Sequence, residues 1–218
     1  NSSVPKFAEY VPGPKQDLFH GLRYIADVYA FFGAWRSGKS LSGCREVTEH
    51  CMTYPGAEAL IGRSTFADLR ATTLPMFLDF TPDSIIADYN KSEHLLTYVN
   101  GSRVRFTGFD RFRKFGSLNL SFVWIEEAAD GVAKRIFEAL NGRLSLAHVG
   151  ERKIFLTSNN DTRACWLCED FVQGAIPHPT EPDVLINPKN GFASVQLATL
   201  ENLKHLPPAY IENCRKSL

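Results

Sequence analysis

The stretch FFGAWRSGKSLSG, residues 31–43, limits the fold of this chain more than any other. It is apolar up to Gly33 and then spells G-x-x-x-x-G-K-[ST], with Gly38, Lys39 and Ser40 closing the pattern. Each position has a physical role. The glycines let the backbone turn tightly and bring its N–H groups against phosphate oxygens. Lysine supplies a point charge for the β- and γ-phosphates, and the serine hydroxyl ligates Mg²⁺. A helix starting near Lys39 aims its positive end at the same anion. The candidate nucleotide-binding residues are therefore Gly33, Ala34, Trp35, Arg36, Ser37, Gly38, Lys39, Ser40 and Leu41.

The motif needs a strand before it and a helix after it, and the flanks read that way. ADVYAFFG (26–33) is a buried-strand pattern and GKSLSGCREVTEHCM (38–52) a helical one. Residues 14–28 carry Leu18, Leu22 and Ile25 at helical spacing. AEALIG (57–62) reads as a strand, and 64–80 as a helix capped by Ser64. In 94–109, alternating strands flank Asn100-Gly101, a strong two-residue turn signal. Residues 120–128 and 152–160 read as buried strands around an amphipathic helix at 131–148. A last strand is expected at 193–199 and a helix at 207–217, with 174–192 as loop. Residues 1–12 read as an extended arm, and about 174–218 as a closing segment of one domain. Alternating strands and helices argue an α/β fold: a mostly parallel central sheet, helices on both faces, and a β-hairpin extension. Ligands of such sheets sit at the carboxyl ends of the strands.

Two further constellations end on that edge. In LSFVWIEEA an apolar strand runs into Glu126 and Glu127. Glu126 is placed to reach Mg²⁺ directly or through water, and Glu127 to polarise an attacking water. Thr157, Ser158 and Asn159, at the end of IFLTSNN, could contact the γ-phosphate and pass the nucleotide state onward. Composition narrows the setting. The 218 residues carry no net charge, so no global basic field marks a dedicated nucleic-acid binder. No apolar run of membrane-spanning length occurs, and NSSVPKFAEY lacks a secretory pattern. The cysteines at 44, 51, 165, 168 and 214 are odd in number, favouring reduced thiols. Cys165 and Cys168 form a lone CxxC without a second pair, which reads as structural.

In this order the pieces resemble the ATPase domain of viral large terminase subunits, motors that pump DNA into empty capsids. PGPKQDLF resembles that family's adenine motif, implying that Gln16 reads the adenine edge. GAWRSGKS is similar to its Walker A loop, including the arginine at 36, and LSFVWIEEA to its Walker B strand. LLTYVNGSRVRFTGFD resembles its hairpin, TSNN part of its coupling motif, and TLENLKHLPPAYIENC the stretch that closes the domain. The likeness spans nearly the whole chain. It departs at Glu126, where the family usually has Asp. The family's C-terminal nuclease domain is expected to be absent from this chain.

The resemblance implies a RecA-like P-loop NTPase of the ASCE type, hydrolysing ATP with Mg²⁺ to translocate double-stranded DNA. It further implies a portal protein and a small terminase subunit as partners, a homo-oligomeric ring on the capsid, and work in the host cell cytoplasm. An arginine supplied by a neighbouring subunit would complete the site. Arg113, in the basic stretch 101–116, is the first candidate, with Arg143 the alternative and Arg36 a finger in cis. The same stretch also reads as a solvated or DNA-contacting face. A helicase- or recombinase-like ATPase and a slow nucleotide switch remain the competing readings.

Overall fold

The computed structural model describes residues 6–34, 36–110, 118–159 and 166–197. The expected helix 207–217, the end of the last strand and Arg113, Trp35 and Cys165 lie outside the described residues. The strands are β1 (Val28–Gly33), β2 (Glu58–Arg63), β3 (Ile86–Asn90), β4 (Leu95–Tyr98), β5 (Arg103–Gly108), β6 (Phe122–Glu126), β7 (Lys153–Ser158), β8 (Ile176–Pro177), β9 (Val184–Asn187) and β10 (Phe192–Leu197). The helices are α1 (Pro14–Gly21), α2 (Lys39–Thr53), α3 (Phe66–Asp68), α4 (Leu74–Phe80) and α5 (Lys134–Asn141).

All these strands join one sheet in the order β3-β4-β5-β2-β6-β7-β1-β10-β9-β8. The six central strands, β5 to β10 in that order, run parallel, and the two ends are extended by antiparallel strands. β1 and β6 are buried along their whole length, as strands covered on both faces must be. Alternation divides the side chains between two cores. Phe19, Tyr29, Phe31, Val47, Trp124 and Phe155 pack on the side of α1 and α2. Val123, Ile125, Ile136, Phe137, Leu140 and Phe171 pack on the side of α5.

The hairpin forms where Asn100-Gly101 placed it. Gly101 adopts φ +82°, and the Asn100 amide donates to Cys51 O at 2.8 Å, tying the turn to the end of α2. Other expectations are corrected. The hairpin carries a third strand, β3. Residues 174–192, expected as loop, supply β8 and β9; short strands with prolines suit a sheet edge. The helix expected over 64–80 is capped by Thr65, not Ser64. It widens into a π-helical turn at Leu69–Thr73, just before Pro75, which offers no N–H to a regular helix. The helix expected over 131–148 is shorter, running from Lys134 to Asn141 with Gly142 as its C-cap. In the stretch 1–12, Phe7 and Tyr10 pack edge-on against Phe80, centroids 5.8 and 5.9 Å away, so the described part is docked rather than an arm.

Candidate active site

The carboxyl ends of β1, β6 and β7 bring the three motifs together around a cleft of about 700 Å³. The loop after β1 is shaped by its glycines. A methyl group on Gly33 would lie 2.5 Å from Ser37 Oγ, and Gly38 takes φ +85°, open to few other residues. Arg36 is also left-handed, at φ +60°. The loop is braced from below: Ala34 N donates to Leu197 O at 3.1 Å. Gln16 is buried, accepts from Gly13 N at 2.7 Å and donates to Ser37 O at 3.3 Å. Its amide thus holds the loop, and Gln16 is not among the residues lining the cleft.

Lys39 opens α2 with its ammonium buried. It donates to Gly33 O at 2.9 Å, Ala34 O at 3.3 Å and Asn159 Oδ1 at 3.1 Å. Burial pushes its pKa below the usual lysine value, while Glu127 and Glu126 pull it back up. Ser40 Oγ donates to Glu126 Oε1 at 2.6 Å. Thr157 Oγ1 donates to the other oxygen, Oε2. Burial, then the Glu127 charge, raises the Glu126 carboxyl, and the two hydroxyls and Lys39 counter this only in part.

The adjacent glutamates are divided by the backbone. Glu126 ends β6 and is buried. Glu127 takes φ +49°, a strained conformation for a side-chain-bearing residue. Its carboxylate lines the cleft, 20% exposed, with Oε1 4.0 Å from Lys39 Nζ. The third motif touches all of this: Thr157 holds Glu126, Ser158 Oγ accepts from Ala129 N at 2.9 Å, and Asn159 holds Lys39.

Arg63 is a cleft residue that no sequence pattern marked. It ends β2, one residue past Gly62, which pairs with Ile125, so sheet register alone brings it beside the Glu126 strand end. Its Nη1 donates to Thr72 Oγ1 at 2.7 Å, and Nη2 lies 3.9 Å from Asp130 Oδ2. Arg143 lies at the other end of β6, where its carbonyl accepts from Leu120 N at 2.8 Å. It therefore cannot serve the cleft of its own chain. Among the described residues no cluster of His, Cys, Asp and Glu is arranged to hold a metal, and no helix is long and apolar enough to cross a membrane. Cys44 and Cys51 are core residues.

A strand inserted between the loop strand and the acid strand, here β7 between β1 and β6, defines a RecA-like P-loop NTPase fold. Solved structures share it. The large terminase of a thermophilic bacteriophage matches with a TM-score of 0.73 and 12% identity, over 96% of this chain and 51% of that one. The same protein in complex with ATP-gamma-S matches at 0.66 and 13%, over 94% and 49%. The Thermus phage P74-26 large terminase ATPase domain matches at 0.57 and 15%, over 94% and 88%. The chain thus spans about half the length of the thermophilic bacteriophage protein. A search of curated proteins finds no match. The family described as "Phage terminase large subunit" matches residues 28–216. The chain belongs to that phage terminase large subunit family.

Proposed function

We propose that this chain is an ATP-hydrolysing motor domain that drives double-stranded DNA into a procapsid. The observation that carries the reading is the convergence of Lys39, Ser40 and Glu127 on one cleft at the strand ends, with the buried Glu126 bonded to Ser40 beneath it. Family membership agrees with it, and the large terminase of the thermophilic bacteriophage has been solved with ADP and with ATP-gamma-S.

The loop amides and the Lys39 ammonium bind the β- and γ-phosphates of the substrate ATP and meet the charge that develops in transfer. The Ser40 hydroxyl and Glu126 carboxylate are hard oxygen donors linked to each other, a set that fits Mg²⁺. Ser40 and Glu126 would hold the ion, which would supply positive charge against the phosphates. Glu127, exposed to the cleft, accepts the proton of the attacking water. Thr157, Ser158 and Asn159 each touch a different part of this machinery, which suits them to carry the nucleotide state toward DNA movement. Gln16 supports the phosphate loop through Ser37 O.

In this reading the whole chain is one ATPase domain, working in the host cytoplasm. Its partners are DNA, a portal protein, a small terminase subunit and further copies of itself in a ring, with an arginine of a neighbour completing each site. The test is phosphate release by the purified chain, with and without Mg²⁺ and double-stranded DNA. Hydrolysis that needs Mg²⁺ and rises with DNA supports the proposal. Failure to bind any nucleoside triphosphate overturns it.

A further inference from the structure

We propose that Trp124 is a positioning residue for the Glu126 carboxylate, acting through the Thr157 hydroxyl. The proposal rests on the reading of Glu126 as the carboxylate that helps hold Mg²⁺. Trp124 Nε1 donates to Thr157 Oγ1 at 2.8 Å, and that hydroxyl donates to Glu126 Oε2. An indole N–H can only donate, and a hydroxyl carries a single proton. Trp124 therefore occupies a lone pair of the Thr157 oxygen and leaves its proton for the carboxylate. Freed of that bond, a threonine hydroxyl can rotate toward a backbone carbonyl instead.

The ring is fixed on both sides. It stacks on Phe155, with centroids 5.7 Å apart and planes 13° from parallel. Above it lies Gly43 of α2, where a β-carbon would sit 2.3 Å from the indole Cζ2. Gly43 follows Ser40 by three residues, so the two share a face of α2. One helix face thus sets both ends of the Glu126 carboxylate: Ser40 directly on Oε1, and Gly43 by seating the ring that orders Thr157 on Oε2. A chain of donors in a buried setting also strengthens each bond along it.

The test compares W124F, T157V, T157S, the double variant W124F/T157V and E126Q. For each, the Mg²⁺ midpoint is measured twice: in ATP hydrolysis, and in binding of a fluorescent N-methylanthraniloyl ADP. W124F should raise both midpoints about 3- to 10-fold, the range for one lost hydrogen bond, and leave metal-free nucleotide affinity unchanged. T157V should raise them at least as far, the double variant no further than T157V, and T157S should return them toward wild type. An unshifted midpoint in W124F, or a full W124F effect added to that of T157V, overturns the relay. If E126Q also leaves the midpoint in place, the metal role of Glu126 falls with it; if E126Q shifts it and W124F does not, the relay alone falls. Should W124F not fold, benzothienylalanine at 124 keeps the ring shape without the N–H and reads the same outcomes.

Discussion

Replacing Lys39 by methionine tests the catalytic reading while holding the packing nearly constant. The side chain is 5% exposed, and its ammonium donates to Gly33 O, Ala34 O and Asn159 Oδ1. Glu127 Oε1 stands 4.0 Å away. At an effective dielectric near 20, two unit charges at that distance attract by about 4 kcal/mol. Desolvation of the buried ammonium opposes that gain, as its lowered pKa records. Relief of that desolvation offsets the lost ion pair in part, but three acceptors lose their donor, so folding stability should fall by about 1–3 kcal/mol. Turnover has no such compensation, because the ammonium meets charge that grows only in the transition state. Loss of one preorganised donor of this kind costs about 10²–10³ in rate, or about 2.7–4 kcal/mol. Phosphate release at saturating Mg²⁺ and ATP, with thermal melting as the folding control, measures both. A folded Lys39→Met protein that hydrolyses ATP within tenfold of wild type would refute the reasoning.

Glu127→Gln should keep nucleotide binding and lose turnover by about 10²–10⁴, the range for one general base, whereas Glu126→Gln should chiefly raise the Mg²⁺ requirement; the reverse pattern, read in rate and Mg²⁺ titration, exchanges the two roles. An Arg113→Ala subunit mixed with a Lys39→Ala subunit should regain activity if Arg113 acts in trans, and a dead mixture of assembled subunits excludes it. Burial alone would raise the Glu151 carboxyl, but His50 and Arg23 hold it down to about 2. Its contribution is therefore present above the ordinary carboxylate range and is lost as pH falls toward about 2. Glu151→Gln should cost about 1–2 kcal/mol at pH 7 after allowance for solvent screening, and flatten the acid limb of a pH–stability curve; an unchanged limb rejects the assignment. Gly108→Ala should destabilise by at least about 1–3 kcal/mol in denaturant melts, because its β-carbon would stand 2.1 Å from the Phe66 backbone nitrogen; a neutral result would mean that α3 moves freely.

What the sequence determined by itself is the chemistry that is local along the chain. The phosphate loop was legible because Gly33 and Gly38 answer backbone demands made within a few residues, and Lys39 and Ser40 follow them at fixed spacing. The Asn100-Gly101 turn and the buried strands β1, β2, β6 and β7 were legible for the same reason: turn geometry and continuous apolar runs need no knowledge of neighbours. Helix ends were read less well, because propensity yields to tertiary surroundings, as at the turn before Pro75 and at the end of α5. The edge strands β8 and β9 were missed, since so short a strand exists only by pairing with β10.

Only the tertiary structure decided how the motifs divide their work. Glu126 and Glu127 are neighbours of one residue type; sequence could offer them two roles, but burial and the left-handed backbone at Glu127 send one to Ser40 and the other to the cleft. Arg63 and the bonds Lys39–Asn159 and Trp124–Thr157 join residues far apart in the chain, through strand order and register. Those depend on how the whole sheet buries its apolar faces, a sum over many weak contacts that no local pattern records.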